Sequence, residues 1–218
     1  MTAEQTLANG IRTRLQAGTQ RISRASLKAP WSRQAMAIRL RNQAEMLADY
    51  VRRGDSVLDV GCATGYLCKY LEGMYGAEPT GLDVKDFRVA PIAFRTFDGT
   101  SIPFADKAFD HVVLCFTLHH SHDPMALIRE CRRVARRSII VFEDLPDSRF
   151  GKLKVSLHVE AFQRFYRIGT PRRAGYRSAL AWLSDKAVTV ARTAMPQEWF
   201  DIFYNVPRFL LVYALSDD

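Results

Sequence analysis

The sequence predicts an α/β fold, a mostly parallel sheet with helices on both faces. Three observations carry that reading. Short apolar runs alternate with helix-period patterns along most of the chain. One of those runs, Val57–Val60, passes straight into a glycine-bearing turn and then a helical pattern. No internal repeat or low-complexity tract interrupts the rhythm, and 218 residues fit one domain with room for a modest lid.

A helix is expected from about Gln34 to Arg52, stopped by Gly54. Ser56–Val60 reads as a buried strand and Gly65–Met74 as the helix after it. Thr80–Val84 and Ala93–Phe97 read as two further strands. Too few residues separate them for a crossover helix, so that connection is expected to be irregular. His111–Phe116 is the next strand, and the helix after it starts on clear signals, Asp123 as N-cap and Pro124 at the first helical position. Ser138–Glu143 reads as the fifth strand. After Pro146 comes a basic, aromatic-rich stretch, read as a lid-like insertion at about 145–183, and the strands Ala187–Ala191 and Phe209–Leu215 close the chain.

Charge is unevenly spread. Of the net +8, residues 1–53 hold ten Arg/Lys against Glu4, Glu45 and Asp49. Leu7, Ile11 and Leu15 would form one apolar helical stripe there, beside Arg12 and Arg14. This basic N-terminal cap admits three readings: a solvated helix over the site mouth, a transit peptide, or a helix contacting an anionic membrane surface. Hydrophobic residues make up 48% and charged residues 25%, the balance of an ordinary globular chain, and no apolar run reaches the ~18 residues of a membrane span. Cys62, Cys68, Cys115 and Cys131 form no C-x-x-C pair and sit in apolar segments, so they read as reduced core thiols of a cytoplasmic protein.

The chemistry concentrates in Val57-Leu58-Asp59-Val60-Gly61-Cys62-Ala63-Thr64-Gly65. Gly61 and Gly65 allow the backbone to approach a ligand closely, and helix amides near Gly65 can face a carboxylate. Asp83, at the end of Gly81-Leu82-Asp83-Val84, is spaced from Asp59 as a carboxylate that accepts hydrogen bonds from two ribose hydroxyls. Nucleotide-binding dehydrogenases share both features. The segments Phe97-Asp98-Gly99-Thr100 and Ile102 to Asp110, then Leu118-His119-His120-Ser121-His122-Asp123-Pro124 and Leu127 to Val134, separate the two.

Over residues 56–144 this order resembles the class I S-adenosylmethionine-dependent methyltransferases, and within them the small-molecule domain called methyltransferase type 11. The resemblance implies a Rossmann-like class I methyltransferase fold, a mostly parallel seven-stranded sheet with an antiparallel C-terminal strand. It implies S-adenosylmethionine as cofactor, held by Asp59, Gly61, Cys62, Ala63, Gly65, Asp83, Val84, Asp98, Gly99, Thr100 and Phe116. In it Asp98 caps the adenine amino group while Gly99 and Thr100 border the ring. Ala63 stands where the family has its middle glycine, which narrows the space there, and the family's lysine-proline-glycine-glycine turn before strand five is shortened to Ala135-Arg136-Arg137. The implied division is a basic helical cap over 1–53 and a cofactor-binding domain over 54–218.

His119, His120, His122 and Asp123 could suggest a metal, but Asp123 is already explained as a cap, and no metal is expected. His120 reads as a structural histidine. His119 reads as lining the methyl-transfer pocket, where its neutral imidazole could take a proton from the acceptor. Phe150, Phe162, Phe165, Tyr166, Trp199 and Tyr204 are available to line a dry pocket or to pack a core. The expected acceptor is a small molecule, apolar or aromatic. Nucleic acid is the weaker alternative: residues 129–177 hold thirteen Arg/Lys against five Asp/Glu, yet no Asn/Asp-Pro-Pro-aromatic motif is present. A cofactor-binding partner subunit without catalysis and a NAD-dependent dehydrogenase are the remaining rivals, and the sequence leaves the oligomeric state open.

Overall fold

The computed structural model describes residues 30–166, 175–196 and 206–216. Its strands are β1 (Ser56–Val60), β2 (Glu78–Asp83), β3 (Ala93–Thr96), β4 (Phe109–Cys115), β5 (Ala135–Asp144), β6 (Val188–Ala194) and β7 (Arg208–Ala214). Its α-helices are α1 (Pro30–Glu45), α2 (Tyr66–Tyr75), α3 (Pro124–Val134), α4 (Arg149–Tyr166) and α5 (Gly175–Lys186). The strands form one seven-stranded sheet in the order β3-β2-β1-β4-β5-β7-β6. Strands β1 to β5 pair in parallel, whereas β7 runs antiparallel to both β5 and β6, so β7 alone is reversed. This is the predicted mostly parallel sheet with its antiparallel C-terminal strand.

Period-two alternation builds two cores from the same strands. Leu58, Val112, Leu114, Ile139 and Val141 point to one face, where Leu127, Ile128 and Cys131 of α3 and Leu180 and Leu183 of α5 cover them. Val57, Val113, Ile140 and Phe142 point to the other, against Leu40 and Ala44 of α1 and Leu67 and Leu71 of α2. Each such fully buried aliphatic or aromatic side chain contributes about 1.5–3 kcal/mol of transfer free energy. Cys62, Cys68 and Cys131 are buried thiols, in keeping with the sequence reading.

The elements follow the sequence with three adjustments. Helix α1 ends at Glu45, where the chain tightens into turns closed by Leu47 N–H to the Ala44 carbonyl (2.9 Å) and Tyr50 N–H to the Leu47 carbonyl (3.0 Å). Those turns bury Leu47 and Val51 instead of continuing the helix to Arg52. The residues expected to form a turn, Ala135 to Arg137, open β5: α3 passes directly into the strand, Ala135 pairing with Phe109. Arg136 and Arg137 are held there by Asp110 (2.8 Å) and Asp55 (2.9 Å). The stretch after Pro146 is largely helical, as α4 and α5. The β2–β3 connection is irregular as expected, tied by Val89 and Ala90 N–H to the Thr64 carbonyl. Leu7, Ile11, Leu15, Trp199, Tyr204 and the side chains of Phe162, Phe165 and Tyr166 lie outside the described residues. No described helix is long and apolar enough to cross a membrane.

Candidate active site

The parallel strands bring their carboxyl ends to one edge, and β7 begins there. Asp59, Asp83, Cys115 and Asp144 thus approach one another from four strands, with Arg208 from a fifth. The sheet order turns back between β1 and β4, the place where open α/β sheets form a ligand crevice. A cavity of about 700 Å³ lies at this edge.

One end of the cavity is the turn after β1. Gly61 has φ +77°, and a Cβ there would sit 2.3 Å from Thr117 Oγ1, so only glycine fits. Thr117 Oγ1 donates to the Val60 carbonyl (2.9 Å), which fixes the contact. Ala63 adopts φ +43°, a left-handed conformation that costs a residue with a side chain about 1–2 kcal/mol. Asp83 holds it: Oδ2 accepts from Ala63 N–H (2.9 Å) and Oδ1 from Val84 N–H (2.7 Å). Burial raises the Asp83 carboxyl above the usual range against those backbone bonds.

Asp59 is buried at the same end. Its Oδ2 accepts from the Cys68 thiol (3.5 Å), while Oδ1 has no partner among the described residues. Burial, opposed by the Cys68 bond and aided by Asp83, pushes its carboxyl up to about 7. Across the cavity Asp98 Oδ1 accepts from Thr100 N–H (2.8 Å), Ser101 N–H (2.7 Å) and Thr100 Oγ1 (3.0 Å). The Ser101 and Thr100 bonds lower its pKa and shape the Asp98–Ser101 turn.

The other end is the 3₁₀ turn Leu118–His120. His119 is buried and its Nδ1 is hydrogen-bonded to Glu143 Oε1; its backbone N–H donates to Oε2 (3.2 Å). Nε2 is buried and has no partner among the described residues. Burial disfavours the charged imidazole, but the Glu143 carboxylate outweighs it, so His119 stays above its ordinary pKa. His120 is held well below by burial and the neighbouring His119, and His158 of α4 is pushed down to about 4, chiefly by burial. The three imidazoles offer nitrogens within 4.8 Å of one another, and so do His119, Glu143 and Asp144 as donors. Asp123 caps α3, accepting from Ala126 N–H (3.0 Å). Behind the turn, Asp144 Oδ1 meets Arg208 Nε (3.3 Å), and Tyr176 of α5 donates to the Asp144 carbonyl (3.1 Å).

Of the residues singled out in the sequence, Asp59, Gly61, Cys62, Ala63, Asp83, Val84, Asp98, Gly99, Thr100, Phe116 and His119 all line the cavity. Gly65 does not. It takes φ +75° at the start of α2, and a Cβ there would meet Ile92, so its role is to let helix and loop pack closely. Sequence reasoning missed Arg39 and Gln43 of α1, His158 of α4, and the Asp144–Arg208 pair, all on the wall. Gln43 is buried, its Oε1 accepting from the Cys115 thiol (2.8 Å), its Nε2 without a partner among the described residues. Glu143 was also missed. The available signal was two consecutive acids ending the apolar run Ile139–Phe142.

The family model of the methyltransferase domain matches residues 58–142. Demethylmenaquinone methyltransferase of Thermotoga maritima is 30% identical over 102 residues, 42% of this chain and 44% of that protein. The O-methyltransferase cnsE of Penicillium expansum is 29% identical over 107 residues, 43% of this chain and 39% of that protein. The chain thus spans less than half the length of these curated relatives. Among solved structures, a chain from the Haloferax volcanii complex of the Trm112 methyltransferase activator with a methyltransferase superposes with a TM-score of 0.63. The identity is 18%, and 88% of this chain and 96% of that one are covered. Residues 58–142 thus carry the match to the methyltransferase domain, and the seven-stranded sheet shares its fold with the solved methyltransferase chain, with the cavity at the β1 turn.

Proposed function

We propose that the protein transfers a methyl group from S-adenosylmethionine to a small-molecule acceptor, apolar or aromatic, with His119 taking the acceptor's proton. One observation carries this: the turn residues of the cofactor family and His119, whose Nε2 has no partner among the described residues, line a single cavity.

The residues fit the cofactor. Asp59 Oδ1 and Gln43 Nε2 are buried, an acceptor and a donor without partners among the described residues, suited to an ammonium and a carboxylate. Gly61 leaves the backbone bare where a Cβ would intrude. Asp83 would hold the ribose hydroxyls, and Asp98, Gly99 and Thr100 would border the adenine. When bound, the cofactor supplies an electrophilic methyl group on a sulfonium. The protein's own work is to align the acceptor, exclude water, and receive at His119 Nε2 the proton that the acceptor loses. Glu143 favours the imidazolium so formed. No metal is needed for that step.

Phe87, Phe97, Phe116, Met36 and Leu127 on the cavity wall support an apolar or aromatic acceptor. The segment 145–183, with the basic N-terminus, is proposed as the lid that selects it; His158 on the wall supports this. A small molecule is favoured over a nucleic acid by the engagement of Arg133 of α3 with Glu130 and Asp106, of Arg136 with Asp110 and of Arg137 with Asp55. The demethylmenaquinone specificity of the first relative is in line with a small acceptor.

Calorimetry tests the reading. S-adenosylhomocysteine should bind and NAD should not, and Asp83→Ala should weaken binding by about 1–3 kcal/mol, the cost of leaving buried hydrogen-bonding groups unpaired. Binding of NAD alone would overturn the assignment, and an unchanged dissociation constant for a folded Asp83→Ala would move the ribose partner elsewhere. Cofactor binding without turnover on any acceptor would favour a partner subunit.

A further inference from the structure

We infer that α4 docks the protein on an anionic membrane surface, through Phe150, Leu153 and Leu157 flanked by Arg149 and Lys154. The helix is apolar on two opposed sides. Val155 and Val159 are buried against Val206. Phe150, Leu153 and Leu157 are 66%, 52% and 58% exposed, large side chains that a helix facing water has no reason to present together. At 100° per residue the three fall within a sector of about 60°, directly away from the buried valines.

Charge selects the occupant. From Arg149 to Val159 the helix carries three cations and no acid, the first acid being Glu160. Lys154 lies over the Phe150 ring (5.0 Å), so a cation borders the apolar stripe itself. Apolar residues that insert, with lysines and arginines beside them, are the composition of a helix lying in the interface of a bilayer with anionic headgroups. A second copy of this helix would set like charges against one another. The surface also adjoins the cavity, since His158, next to Leu157, lines its wall. Docking on α4 would bring the cavity close to the bilayer, whichever acceptor is methylated.

Vesicle co-sedimentation tests it with the full chain. The protein should partition onto phosphatidylcholine vesicles containing about one-third phosphatidylglycerol, far less onto phosphatidylcholine alone, and less in high salt. The triple variant Phe150→Ser, Leu153→Ser, Leu157→Ser should lose partitioning at least tenfold with its melting temperature preserved. If that variant does not fold, Leu153→Trp substitutes for it, and its emission should shift to the blue on vesicle addition beyond any shift of the wild type. No wild-type partitioning, undiminished partitioning of the folded triple variant, or an unshifted Trp emission each overturns the inference. So does a wild-type dimer that the triple variant turns into a monomer, because a second copy would then occupy the face.

Discussion

Two of the buried histidine–carboxylate pairs among the described residues lie at opposite ends of the same sheet, and they are built differently. At the amino end His111 of β4 uses both ring nitrogens: Nδ1 meets Ser138 Oγ (2.7 Å) and Nε2 meets Asp55 Oδ2 (3.1 Å). Asp55 is itself saturated, with Arg52 N–H (2.7 Å) on Oδ2 and Arg137 (2.9 Å) on Oδ1. At the carboxyl end His119 gives only Nδ1 to Glu143 and keeps Nε2 without a partner among the described residues. Burial holds His111 below its ordinary pKa despite Asp55, whereas Glu143 holds His119 above. A satisfied pair ties strands together; a pair with one nitrogen left over, on a cavity wall, can act on a ligand.

Alanine at each histidine should separate these roles most strongly. His119→Ala should lower turnover about 10²- to 10⁴-fold, the span of general-base catalysis, with the dissociation constant of S-adenosylhomocysteine within about twofold. His111→Ala should destabilise the fold by about 2–4 kcal/mol, because it strands Ser138 in the core, takes one partner from Asp55 and opens a cavity, yet spare turnover of the folded fraction. The measurements are steady-state rates and denaturant melts on both variants. Equal loss of turnover in both would erase the distinction.

A smaller effect sharpens it. The wild-type rate should rise with pH as His119 loses its proton, above the usual histidine range because Glu143 favours the imidazolium. In Glu143→Gln the opposing burial dominates, so the acid limb of kcat/KM should move to lower pH. The plateau should fall about tenfold to a hundredfold, a size typical of losing an orienting carboxylate. Superimposable pH profiles would show that Glu143 does not act through His119.

The two pairs also mark how far the sequence could be read. The strand–turn–helix around Asp59 and Gly61 was legible because its chemistry is local: apolar alternation, glycine and spacing all sit within nine residues. The N-cap Asp123 was legible for the same reason. His119 was legible as a cavity residue able to take a proton, but its distinction from His111 was not, since that depends on Glu143, brought to it by the β4–β5 pairing of Cys115 with Phe142. Gln43 and Arg208 were invisible because they enter from α1 and β7, outside the matched segment, and Arg208 opposes Asp144 only through antiparallel register. Ala135 to Arg137 misled because the family pattern has a turn there, whereas Asp110 and Asp55 hold Arg136 and Arg137 in the strand.

The subtlest expected consequence is a pair of opposite stability slopes. His111 has a folded pKa below its unfolded value near 6.5, so as pH falls through that window the unfolded chain binds the proton first and the fold loses stability. His119 has a folded pKa above that value. Its contribution is therefore fully present below pH 6.5 and is lost as pH rises through the folded pKa. His111→Gln and His119→Gln remove one titration each while keeping an amide that can hydrogen-bond. The melting-temperature gap between wild type and His111→Gln should widen with rising pH from about 5 to 8, whereas the gap to His119→Gln should narrow. A chain whose two gaps run parallel would hold both histidines in the same protonation state, and Nε2 of His119 would then be a packing atom, not the site where a proton is taken up.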